Sequence, residues 1–195
     1  MGLLGLFKRK PGGIIANFGL QDFYVALTVD EINQMKEALG HPYQLTTGKP
    51  YTGNDLDKGD RKYPGSKSSF LHNMAAGTSD TLKVKLYEAA ILHATNVTDR
   101  HFPRQDLAEH QYKVGAFEEC ERLCLEDVAE AKSFLKPKWS KGARMQTFKR
   151  LAIMYEKQGR YQDAISISEK ALSIDQDDGT KGGYAGRIER LRKKL

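Results

Sequence analysis

From Asp80 to the end of the chain, apolar side chains recur at helical spacing with few breaks. Leu82, Leu86, Ala89, Ala90 and His93 fall three or four residues apart, the spacing that lines one face of a helix. The pattern predicts a second helix over Phe102–Val114, with Pro103 in its first turn, where a missing N–H is no loss. Phe117, Cys120, Cys124, Val128, Ala131 and Leu135 form a longer stripe, ended by Pro137. Met145, Phe148, Leu151, Ala152 and Tyr155 mark the next helix. Tyr161, Ala164, Ile165, Ser168, Ala171 and Leu172 mark another. Tyr184, Ile188, Leu191 and Leu195 share one face of a terminal helix.

The first half is less regular. Ile14, Ile15, Phe18, Leu20, Phe23, Tyr24, Val25 and Leu27 crowd residues 13–27 with neither helical nor alternating period, so helix and strand both stay open. Thr28-Val29-Asp30-Glu31 is a capping box, and it predicts a short helix over about 29–39. Gly40 is expected to stop that helix by accepting a positive φ. From His41 to Thr78 the periodicity vanishes into Gly, Lys, Asp, Ser, Pro and Tyr, which reads as a linker, a disordered arm or a binding loop. The domain boundary is placed there, giving an N-terminal region over 1–79 and a helical domain over 80–195.

Two segments of the helical domain superimpose with a period of 44. Gly115-Ala116-Phe117-Glu118-Glu119-Cys120 matches Gly159-Arg160-Tyr161-Gln162-Asp163-Ala164, and Leu107-Ala108 matches Leu151-Ala152. Glycine at such a position suits the bend of a helical hairpin, because it takes a backbone conformation that a Cβ would penalise. The aromatic two residues on is expected to wedge between the paired helices. One hairpin cannot bury its apolar face alone, so it stacks on the next.

The order Leu151-Ala152, Tyr155, Gly159, Tyr161, Ala164 and then Lys170-Ala171-Leu172 resembles a tetratricopeptide repeat. The earlier unit departs from that pattern. Gln111 stands where the family carries a tyrosine, and Lys136 to Ala143 lengthens the connection. The resemblance implies a mainly α fold, a short right-handed stack of antiparallel helical hairpins with a C-terminal capping helix over Tyr184–Leu195. It also implies that Asp80–His93 precedes and stacks on the first hairpin. In the family, four positions of each first helix face a concave groove. Carried over, these are Phe102, Gln105, Glu109 and Tyr112 in one unit and Gln146, Lys149, Ile153 and Glu156 in the other. Such a lining suits an extended or helical peptide. A clamp for C-terminal carboxylates needs several lysines and asparagines, and only Lys149 is present.

Composition narrows the picture further. A 39% hydrophobic and 29% charged chain is a fairly polar globular protein. Two cysteines give no disulfide framework, so a reducing cytoplasm is expected. The apolar tip Met1–Phe7 is far shorter than the ~20 residues that span a bilayer, and no stable membrane insertion is expected. The net charge of +6 gathers in residues 181–195, where six basic residues face one acid. Arg187, Arg190 and Lys194 form a basic face on the last helix, the feature through which a nucleic-acid-associated role would act.

No catalytic residues, cofactor motif or metal-ligand spacing is legible. Cys120 and Cys124 lie on the apolar stripe, where free cysteine packs as a small hydrophobe. The acidic stretches at Asn54–Asp60 and Asp175–Gly179 lack the closing glutamate of a calcium loop, and the glycine clusters near Thr47 and Gly179 lack the spacing of a phosphate loop. The leading expectation is therefore a protein- or peptide-binding adaptor. A small enzyme in the N-terminal region is a weaker reading, because that piece is short for a usual pocket.

Overall fold

Local capping chemistry sets where several helices begin. In a computed structural model that describes residues 10–40 and 49–195, the described residues form eleven α-helices and no strand. The apolar tip at Met1–Phe7 and the Thr47-Gly48 turn lie outside the described residues. The chain divides into two compact units, 1–93 and 94–195.

In the first unit, residues 13–27 resolve into two one-turn helices, α1 (Gly13–Asn17) and α2 (Gln21–Val25). Ile14, Ile15, Leu20, Tyr24 and Leu27 are buried, so the residues that looked aperiodic are core from two short helices joined by a turn. α3 (Val29–Leu39) starts at the expected box: the Thr28 amide donates to Glu31 Oε2 at 2.8 Å and the Glu31 amide to Thr28 Oγ1 at 3.2 Å. Gly40, however, has a φ of −76°, so the helix does not end through a left-handed glycine.

The stretch expected to be irregular carries two helices within its described part, α4 (Gly53–Asp57) and α5 (Lys67–Met74). Asp55 Oδ2 accepts from the Thr52 amide at 2.7 Å, and Ser66 Oγ accepts from the Ser69 amide at 3.1 Å. Leu56, Phe70, Leu71 and Met74 are fully buried. α1 packs against α4 across Gly13, whose φ is +56° and where a Cβ would meet the Asp55 carbonyl oxygen at 2.6 Å. Only glycine fits there. α6 (Asp80–Leu92) packs on α5 and belongs to this unit rather than to the hairpins.

The second unit holds α7 (Val97–Lys113), α8 (Phe117–Phe134), α9 (Gln146–Lys157), α10 (Tyr161–Leu172) and α11 (Gly183–Arg192). α7 begins earlier than its apolar pattern indicated, because Asn96 Oδ1 accepts from the Asp99 amide at 2.9 Å and caps it. Pro103 therefore lies inside the helix and not in its first turn. α7 packs on α8, α8 on α9, α9 on α10 and α10 on α11.

The two helix turns at the repeat glycines have the same hydrogen bonds. Gly115 N donates to Tyr112 O (3.2 Å) and Ala116 N to Gln111 O (2.9 Å). Gly159 N donates to Glu156 O (3.2 Å) and Arg160 N to Tyr155 O (2.9 Å). This paired pattern is the Schellman motif, with glycine at its left-handed position, and here φ is +82° and +74°. The 44-residue period is thus a period of backbone geometry as well as of sequence. The aromatic two residues on does not become a buried wedge: Phe117 is 40% exposed and meets Tyr112 edge-on at 5.7 Å. Leu195 lies beyond α11 and is exposed, while Tyr184, Ile188 and Leu191 are buried.

Nothing stands within 4 Å of a Cβ added at either repeat glycine, so substitution there meets only the backbone penalty. Gly159→Ala is expected to cost the second unit about 1–2 kcal/mol, the strain of a left-handed alanine. Urea denaturation checks this, and a variant as stable as the parent would show that the turn tolerates a side chain.

Candidate functional site

α7 and α9 lie side by side over α8 and leave a cleft of about 340 Å³ between them. Gln105 and Glu109 line it from α7, and Gln146, Lys149 and Ile153 from α9, with Thr147, Arg150 and Cys124 deeper in. Five of the eight expected groove residues therefore come together. Phe102 stands apart from this lining, 40% exposed and edge-on to Phe134 at 5.9 Å. Tyr112 lies under the Arg150 guanidinium, 3.9 Å from its ring centre, and its hydroxyl accepts from Lys157 Nζ at 2.8 Å. Glu156 faces the last helix.

The charges in the cleft wall are already satisfied. Arg150 Nε donates to Glu109 Oε2 at 2.8 Å, Lys149 Nζ donates to the Asp178 carbonyl at 2.9 Å, and Gln105 Oε1 accepts from the Gln146 amide at 3.0 Å. These bonds tie the two walls together and leave Lys149 committed rather than waiting for a carboxylate. The remaining lining combines half-buried Ile153 and the exposed Gln146 side chain, which offer apolar contact and amide hydrogen bonds, with the half-buried Asp106 carboxylate.

Under the cleft lies a buried polar network that the apolar pattern did not reveal. Asp127 and His101 are each 2% exposed or less, and His101 Nδ1 donates to Asp127 at 2.9 Å. Thr147 Oγ1, from the cleft wall, donates to Asp127 Oδ2 at 2.9 Å. Arg104 Nη1 lies 3.9 Å from Asp127 and donates to Glu130 Oε2 at 2.8 Å, while Arg100 grips the same carboxylate at 3.0 and 3.1 Å. One signal was available in the sequence. Cys120, Cys124, Asp127, Ala131 and Phe134 fall at helical spacing, so Asp127 sits in the middle of the buried stripe of α8. Both cysteines are buried and free, and they shift in opposite directions: the hydrogen bond with Cys124 lowers the Cys120 thiol, while Cys120 and burial push the Cys124 thiol up.

The expected basic face is drawn to one carboxylate, with Arg187 buried and Arg190 and Lys194 still about half exposed. Glu156 accepts from Arg187 Nη1 and Arg190 Nη2, each at 2.9 Å, and from Lys194 Nζ at 3.4 Å. Arg187 is buried and also reaches Asp178 Oδ2 at 3.4 Å. The three cations named for nucleic-acid contact thus fasten α11 to α9. Burial alone would raise the Glu156 carboxyl, but Arg190, then Arg187 and Lys194, hold it below its ordinary 4.5. Arg160 lowers Glu121, and Arg100 and Arg104 lower Glu130 against its burial. An unfolded chain therefore takes up these protons first as pH falls. The stability from these pairs is whole above the ordinary carboxylate pKa and drains away as pH drops through the lower folded values. The melting temperature is expected to stay flat above about pH 5 and to fall below about pH 4. A melting temperature that rises on acidification would contradict this.

The first unit has a cleft of its own, about 700 Å³, walled by Val25, Leu27, Val29 and Ile32 with Tyr24 and Asp57 at one side. Asp57 Oδ2 meets the Tyr24 hydroxyl at 2.9 Å and Lys36 Nζ at 2.8 Å, and its buried Oδ1 has no hydrogen-bond partner among the described residues. The volume falls in the range of small-molecule sites, so the expectation that the N-terminal region is too small for a pocket is not met. Among the described residues, no helix is long and apolar enough to cross a membrane. Comparison of the chain with protein-family models, curated proteins and solved structures gave no match. The class that the fold defines is a mainly α protein of packed neighbouring helices.

Proposed function

We propose that the protein is a cytoplasmic adaptor whose second unit, a short stack of tetratricopeptide type, holds an extended segment of a partner protein between α7 and α9. The observation that carries this reading is the equivalence of the lining: Gln105 and Lys149, and Glu109 and Ile153, occupy the same helical positions 44 residues apart, and all four line one cleft. Two helices in register offer a partner's backbone side chains at equivalent positions along both walls. The satisfied charges favour a neutral extended peptide over a terminal carboxylate, because a carboxylate would have to take Lys149 from Asp178. Calorimetric titration with peptides tiled from co-purifying proteins tests this. Ile153→Arg and Gln146→Arg, which crowd the cleft, are expected to weaken binding by about 10-fold or more, roughly 1.4 kcal/mol. Unchanged affinity in both variants would refute the cleft as the site.

A further inference from the structure

Between Ala131 and Tyr155 the chain carries seven basic residues and no acid. Five of them gather here, Lys132 in the last turn of α8 and Lys136, Lys138, Lys141 and Arg144 in the stretch joining α8 to α9; all five are exposed and none forms an ion pair with a described residue. Among them stands Trp139, the one tryptophan of the chain, 61% exposed.

This turn is built rather than loose. Ser140 is fully buried, and its hydroxyl donates to the Phe134 carbonyl at 2.6 Å and lies 3.0 Å from that of Pro137. The Ser140 and Lys141 amides both donate to Pro137 O at 3.1 Å, and Gly142 closes the turn with a φ of +79°. The Trp139 ring stands at 86° to Phe134, 5.9 Å away, and Phe134 is itself buried against the His101 ring at 3.8 Å. The indole is therefore braced along one side while most of its surface meets solvent.

Beyond the edge contact of Trp139 with Phe134, the fold makes little use of either feature. Lys136, Lys138 and Lys141 repel one another, and an exposed indole forgoes the gain of burial. Both become favourable on a polyanion that carries flat apolar groups. We infer that the α8–α9 turn is a contact site for single-stranded nucleic acid, with a base stacked on Trp139 and phosphates set among Lys136, Lys138, Lys141 and their basic neighbours. An anionic membrane fits less well. One indole, with half-exposed Phe102 as the large apolar group nearby, gives little surface to bury in lipid. An acidic peptide would use the cations and leave the ring idle. This inference stands apart from the α7–α9 cleft and does not depend on a peptide binding there.

Because Trp139 is the one tryptophan, intrinsic fluorescence reports on that ring alone. Titration of the full chain with oligo-dT and oligo-rU of about ten nucleotides, a length within the usual site size, is expected to quench it saturably at low salt. Five cations predict a slope of log affinity against log salt near −3.5, from roughly 0.7 per phosphate neutralised on a single strand. With a labelled oligonucleotide followed by anisotropy, Trp139→Ala should weaken binding about 5- to 150-fold, the equivalent of one stacked base, and Trp139→Phe should recover much of it. Replacing Lys136, Lys138 and Lys141 together by glutamate should abolish binding while the helical circular dichroism is kept; were that variant unfolded, the Trp139 pair would decide alone. Parent-like affinity in Trp139→Ala would overturn the proposal. So would equal quenching by polyglutamate, or a response to phosphatidylserine vesicles without one to oligonucleotides.

Discussion

Replacing Asp127 by alanine is expected to cost the second unit about 3–5 kcal/mol, the loss typical when one partner of a buried charged pair is removed. The side chain is 2% exposed and ties its own helix, α8, to two others: to α7 through His101 and, by charge, Arg104, and to α9 through Thr147. Its removal leaves a buried imidazole and a buried hydroxyl without their acceptor and a buried guanidinium with less compensating charge. On a unit of this size the change corresponds to a fall in melting temperature of more than about 10 °C. Asp127→Asn keeps one acceptor oxygen and the side-chain volume, so its cost should be smaller. Denaturation followed by circular dichroism separates the outcomes. An alanine variant within about 1 kcal/mol of the parent would mean that water replaces the carboxylate and that the network does not hold α7, α8 and α9 together.

The second large effect is expected at Glu156. This one carboxylate receives Arg187 and Arg190 of the last helix and Lys194 just beyond it, and so ties α9 to a helix that otherwise packs on α10. Glu156→Ala leaves the buried Arg187 with Asp178 as its remaining carboxylate, at 3.4 Å. A loss of about 2–3 kcal/mol is expected, less than for a fully buried pair because Arg190 and Lys194 are about half exposed and screened by water. The damage should be local. Hydrogen exchange of the α11 amides should speed up strongly, while those of α7 and α8 should change little. Unaltered protection in α11 would show that Tyr184, Ile188 and Leu191 seat the helix without help from charge.

How much of this was legible in the sequence depended on element length. The long helices of the second unit announced themselves because their stripes recur over three or more turns, and Gly115 and Gly159 marked their bends. The helices at Gly13–Asn17, Gln21–Val25 and Gly53–Asp57 have one turn each, too short for any periodicity to show, and they are held by contacts from elsewhere in the chain. The groove positions carried over at Gln105, Glu109, Gln146, Lys149 and Ile153 meet in one cleft because they follow helix geometry. What could not be read was how polar side chains spend their charge. Arg187, Arg190 and Lys194 look like a free basic face when counted along one helix, and only packing reveals Glu156 opposite them. Trp139 shows the converse, since a tryptophan in a polar turn gives no sign in sequence of whether it is covered.

The segment between α10 and α11 acts as a strap whose buckle is shared. Gln176 bonds the Met145 amide and the Ala143 carbonyl at the start of α9, and Asp178 takes Lys149 through its backbone and Arg187 through its side chain. Lys149 is thus counted twice, once in the wall of the cleft and once in the fastening of the C-terminal helix. A guest that drew this lysine to itself would slacken the strap, and a chain cut before α11 would meet its guest with a less firmly held wall.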